Sequence, residues 1–74
     1  MKKEITDLAL ASYLSTAGHK LTSINPDGKR STFSFEDSEK LQKNILAYYN
    51  RTARVDPLTF AEVFRNLKAL ALWS

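Results

Sequence analysis

A catalytic or binding site needs a base, a nucleophile, a metal-ligand set or an anion cradle, and this 74-residue sequence is sparing with all four. Its one histidine, His19, is the single side chain that titrates near neutral pH when unperturbed. Ser15, Ser23 or Asp27 could stand beside it as a nucleophilic pair, but nothing in their spacing implies contact. The stronger reading is a half-buried histidine leaning on Phe35 at the start of a hairpin. Glu36, Asp37 and Glu39 could hold a divalent ion or act as paired carboxylates. They also fall where a helix start favours negative charge, and capping is the stronger reading. Cysteine is absent, which removes disulfides and thiolate metal sites and suits a reducing compartment. Two glycines, Gly18 and Gly28, are too few for a phosphate-cradling loop. No catalytic, cofactor or metal residue is assigned, and an enzyme is not expected.

Binding chemistry has more material. Lys29 and Arg30 fall at a hairpin tip, Lys20 projects from an outer sheet face beside Arg30, and Arg51 and Arg54 lie in a linker between helices. With Thr22, Thr32 and Ser34 they would make a basic, hydroxyl-rich surface suited to phosphates. No aromatic residue is expected on that face to stack a base, and no helix carries a recognition-like run. A second set is apolar. Leu58, Ala61, Ala69, Leu72 and Trp73 gather around Arg65 on the side of the last helix opposite its core face. A surface helix ordinarily carries one apolar stripe, so a second one implies another segment of the chain, a partner or a second copy. One intramolecular cover for it would be Leu8, which lies off the main face of the first helix. Ile24 on the outer sheet face points the same way.

The elements that must position these residues are readable from local signals. A first helix starts near Thr6, with Thr6 as cap and Asp7 against the dipole, and Ile5 and Leu10 at staple spacing. Leu10, Ala11, Tyr13, Leu14 and Ala17 share one face, and Gly18 supplies the left-handed stop. The runs KLTSI and RSTFSF flank Asn25-Pro26-Asp27-Gly28, a turn that pairs Asn25 with Lys29, Leu21 with Phe33 and His19 with Phe35. Alternation then turns Leu21, Phe33 and Phe35 inward, and Lys20, Thr22, Ile24, Arg30, Thr32 and Ser34 outward. A second helix begins at Asp37 with Leu41, Ile45, Tyr48 and Tyr49 on its apolar face, while Lys40, Lys43 and Asn44 look out. Asp56-Pro57 opens the third, with Val55 and Phe60 as staple and Phe60, Val63, Phe64, Leu67, Leu70 and Ala71 on one face.

Composition bounds the rest. A chain this short is one domain, and it buries only about 60% of its unfolded surface, so self-association is the staple left open once cysteine and metal are gone. A hydrophobic fraction of 43% describes a globular chain. The longest apolar run, Ala69 to Trp73, is far short of a membrane span, and Glu4 and Asp7 break any signal-like N-terminus, so a cytoplasmic location is expected. A net charge of +3 permits a polyanionic partner without demanding one.

The stretches DLALASYL, GHKLTSI, DGKR with FSFED, YYN, ARVDPL and RNLK, spanning Asp7 to Leu70, resemble a family of small uncharacterised bacterial and phage domains of unknown function. None of them is a catalytic or cofactor signature. The resemblance implies an accessory product of phages and mobile elements, and so a binding role ahead of a metabolic one.

The expectation is therefore a two-layer α+β domain in the order α-β-β-α-α, one antiparallel hairpin covered on one face by three helices. Its core holds Leu10, Leu14, Leu21, Phe33, Phe35, Leu41, Ile45, Tyr48, Phe60, Phe64 and Leu67. Its expected function is non-catalytic binding, with a protein partner or homodimer ahead of nucleic acid and no small-molecule substrate.

Overall fold

A computed structural model describes residues 1–27 and 30–73; Gly28, Lys29 and Ser74, and the side chains of Asp27 and Trp73, lie outside the described residues. The elements run β1 (Lys2–Ile5), α1 (Leu8–Thr16), β2 (Leu21–Asp27), β3 (Arg30–Glu36), α2 (Glu39–Tyr49) and α3 (Pro57–Trp73). The strands form one antiparallel sheet in the order β1-β3-β2. The α+β class and the three helices agree with the sequence reading. The sheet, however, has three strands, because Lys2–Ile5 pairs with β3 along the side that a hairpin alone would leave open.

The hairpin register also differs from expectation. Asn25 pairs with Thr32, Ile24 with Phe33 and Leu21 with Phe35, a shift of three residues near the tip. The pairing continues to Asp27 opposite Arg30. Pro26 thus stands inside β2, a position open to it because β2 is an edge strand whose outer side needs no N–H donor. An odd shift exchanges the faces of a strand. Ile24 therefore turns to the Phe33 side and packs half-buried against the core, not outward as expected. An irregularity between Leu21 and Ser23 restores Leu21 to the same face. At that bulge the Thr22 hydroxyl donates to the Ser34 carbonyl at 3.0 Å.

Phe33, Phe35, Leu14 and Leu41 are essentially removed from water, and Ile5, Leu10, Ala11, Tyr13 and Leu67 complete the buried core. Burying a large apolar side chain contributes roughly 1.5–3 kcal/mol. Helix α1 is buried through five successive residues, Leu10 to Leu14, which marks it as the central helix. Ser12 is admitted there because its hydroxyl donates to the Leu8 carbonyl at 2.8 Å. The rings of Tyr13 and Tyr48 stack at 5.8 Å to join α1 to α2. Leu70, expected on the core face of α3, is exposed instead, as is Tyr49 on α2.

Local chemistry sets each helix end. The α1 cap is Asp7, one residue beyond the expected Thr6, and its carboxylate accepts from the N–H groups of Ala9 at 2.9 Å and Leu10 at 3.3 Å. Gly18, at φ 102°, closes α1 as expected, with its own N–H on Ser15 O and that of His19 on Leu14 O. The α2 cap is Ser38, whose hydroxyl oxygen accepts from Leu41 N–H at 3.0 Å; Asp37 instead accepts from the Gln42 amide. Asp56 caps α3, accepting from both the N–H and the hydroxyl of Thr59 at 2.9 and 2.7 Å. Those bonds hold its carboxyl below the usual range.

Candidate functional site

The apolar stripe predicted on the outer side of α3 is a real surface. Phe60, Val63, Leu67 and Ala71 turn toward the core, while Leu58 and Leu72 are 80% and 76% exposed. Arg65 and Ala69 between them are also exposed, and Ala61 is half-buried at the margin. Helical rise separates Leu58 from Leu72 by about 21 Å, so the stripe runs nearly the length of α3. The side chain of Trp73 falls outside the described residues. Ile24 drops out of this set, since the register turns it into the core.

Sequence reasoning missed a separate exposed apolar pair on α2. Leu46 and Tyr49 are each 62% exposed, and Leu46 lines a shallow second depression of about 300 Å³ with Ile45, Gln42 and Lys3. Leu46 lies off the main Leu41–Ile45–Tyr48 face, and that displacement was the available signal.

The cations are placed less favourably than expected. Lys20, Arg30, Arg51 and Arg54 are all exposed, and Lys29 lies outside the described residues. Lys20 does not stand beside Arg30. It precedes Leu21, which pairs with Phe35, whereas Arg30 pairs with Asp27 at the other end of the strands, which puts Lys20 about 20 Å from Arg30 at the rise of a strand. The outer sheet face also carries Glu4 and Glu36, in register with Ser34 and Lys2. Arg51 holds a left-handed backbone at φ 61° just past the Asn50 cap of α2.

His19 does not pair with Phe35. Its Nε2 lies 2.7 Å from Asn44 Nδ2, so the amide donates to an unprotonated ring nitrogen. Asn44, expected to face outward, is thereby half-buried and ties the end of α1 to α2. Burial, and next the nearby Lys40 charge, push the His19 pKa below 6.5. Burial likewise raises the Tyr48 phenol, helped by Asp7 and Tyr49.

The acidic group of Glu36, Asp37 and Glu39 is divided among separate partners. Glu36 lies 3.7 Å from the Met1 ammonium, Asp37 takes the Gln42 amide, and Glu39 pairs with Lys43 at 3.9 Å. Among the described residues, no three histidine, aspartate or glutamate side chains come together as a metal site. Among the same residues, no helix is long and apolar enough to cross a membrane.

Neither a curated protein nor a solved structure matches this chain. Over residues 2–73 it matches the family described as "domain of unknown function (DUF5659)", the family to which the chain belongs.

Proposed function

We propose that this domain is a non-catalytic binding module that works by protein contact through the outer stripe of α3. The observation that carries the reading is the exposure of Leu58 and Leu72 on a helix whose opposite face is already in the core. Apolar side chains aligned along an exposed helix favour contact with another apolar surface, and Arg65 among them supplies a polar anchor of the kind enriched at interfaces. A second copy is the first partner to test, because a chain of this size without disulfide or metal gains most from self-association. The accessory role in bacteria or phages that the sequence resemblance implies is consistent with such a module. The test is sedimentation equilibrium and amide NMR across a tenfold dilution. Wild type should associate with shifts centred on Leu58 and Leu72, and the double variant Leu58→Ser, Leu72→Ser should stay monomeric. Both side chains are exposed, so its stability should change by no more than about 0.5 kcal/mol. A variant that associates like wild type, or that unfolds, overturns the reading.

Nucleic-acid binding is the second reading, favoured by Thr32 and Ser23 on the open outer sheet face and by exposed Lys20, Arg30, Arg51 and Arg54. Glu4 and Glu36 on that face and the separation of Lys20 from Arg30 weigh against it. Its signature would be salt-sensitive shifts at Arg30 and Arg54 with mixed-sequence DNA or RNA, reduced by Arg30→Glu. Their absence at low salt removes it.

A further inference from the structure

Strand β1 is shorter than the strand it pairs with. It accompanies β3 only from Phe33 to Glu36, and beyond Ile5 the chain leaves the sheet through Thr6 to enter α1. Arg30, Ser31 and Thr32 therefore have β2 on one side and no strand on the other. The last turns of α3 come to this notch, and a cavity of about 370 Å³ remains between them. That is within the size range of small-ligand sites.

The walls divide by chemistry. Phe33 forms a buried apolar floor with half-buried Leu8 and Ala71, and Leu72 stands at the rim. The remaining lining is Arg30 and Lys68, with the hydroxyl residues Thr6 and Ser31. Among the described residues, no acidic one lines the cavity and neither Arg30 nor Lys68 forms an ion pair. Two cations beside an apolar floor attract a negative group, and a guanidinium fork matches the geometry of a carboxylate. The cavity draws its lining from four separate segments: the β1–α1 junction, the start of α1, β3 and the end of α3.

We infer that this notch is a binding site for a small organic acid, its apolar body on Phe33, Leu8 and Ala71 and its carboxylate held by Arg30 and Lys68. The site is separate from the outer stripe of α3 except at Leu72, so Leu58→Ser weakens the stripe without touching the cavity.

The test is an amide NMR titration with octanoate, with octanol as the uncharged chain and acetate as the charge without a chain. Octanoate should shift Leu8, Ser31, Phe33 and Ala71 saturably and bind about tenfold more tightly than octanol, the worth of one charge-assisted hydrogen bond. Acetate at the same concentrations should leave those amides still. The double variant Arg30→Gln, Lys68→Gln alters two exposed side chains and should reduce octanoate to the level of octanol while its spectrum stays folded. Equal affinity for octanol and octanoate, octanoate shifts centred on Ile45 and Leu46 instead, or undiminished binding by the folded variant would each overturn the inference.

Discussion

Replacing Arg51 by glycine should stabilise this domain. Arg51 is the one described non-glycine residue with positive φ, at 61°. It occupies the position after the α2 cap where the chain reverses, with its N–H on Tyr48 O at 3.2 Å and the Thr52 N–H on Ala47 O at 2.9 Å. Those two bonds are the pattern that usually places glycine there. A side chain in the left-handed region costs about 1–2 kcal/mol through the clash of Cβ with the following carbonyl. Glycine relieves that clash but loses more chain entropy on folding, an opposing term of about 0.5–1 kcal/mol. The net gain is about 0.5–1 kcal/mol, which for a domain of this size raises the melting temperature by roughly 2–8 °C. Thermal unfolding followed by circular dichroism measures it, with Arg51→Lys and Arg51→Ala as controls that retain the Cβ. The controls should melt close to wild type. An Arg51→Gly melting temperature at or below wild type, or an equal rise in Arg51→Ala, would refute the argument, the second by assigning the effect to charge. A stabilised variant with weakened nucleic-acid binding would show that the arginine is retained at the cost of strain.

Two further perturbations test the packing. His19 is held neutral in the fold, so its contribution is fully present above its ordinary pKa of 6.5 and is lost as pH falls from there toward the lowered folded value. The melting temperature of wild type should accordingly fall between pH 7.5 and 5.5, and His19→Gln should flatten that slope; a pH-independent wild type in this window contradicts the His19–Asn44 geometry. Ile24→Ala should destabilise by about 1–2 kcal/mol, below the 2–5 kcal/mol of a fully buried isoleucine because the site is half-exposed. Denaturant titration reads it, and a neutral effect would restore the outward register that the turn signal alone suggests.

The helix signals in this chain were legible because they act within a few residues. Asp56-Pro57 with its Val55–Phe60 staple, the Gly18 stop and the Leu10–Leu14 face each express a local requirement of backbone N–H groups, φ or side-chain period. The cap assignments at Thr6 and Asp37 missed by one residue, since Asp7 and Ser38 offer the same oxygen chemistry next door. The outer stripe of α3 was visible for the same reason: helical periodicity needs no tertiary information to show two apolar faces.

The strands were less legible because a strand exists through its partner. Lys2–Ile5 has one buried residue in four, Ile5, and three charged neighbours, so nothing within the segment marks it as a strand until β3 supplies hydrogen bonds. The Asn25-Pro26-Asp27-Gly28 signal suggested a turn, but core burial of Ile24 opposite Phe33 outweighs it and carries β2 on through Asn25, Pro26 and Asp27. From that register follow the separation of Lys20 from Arg30 and the inward turn of Ile24. From the shortness of β1 follows the notch lined by Arg30, Phe33 and Lys68, residues that no sequence period relates. The chain alone determined its helices, its α+β class and the apolar stripe, all set by interactions within one or two turns. Pairing across about 30 residues, as between Lys2 and Glu36, decided the sheet and its cavity, because register is chosen by which side chains the core can bury together.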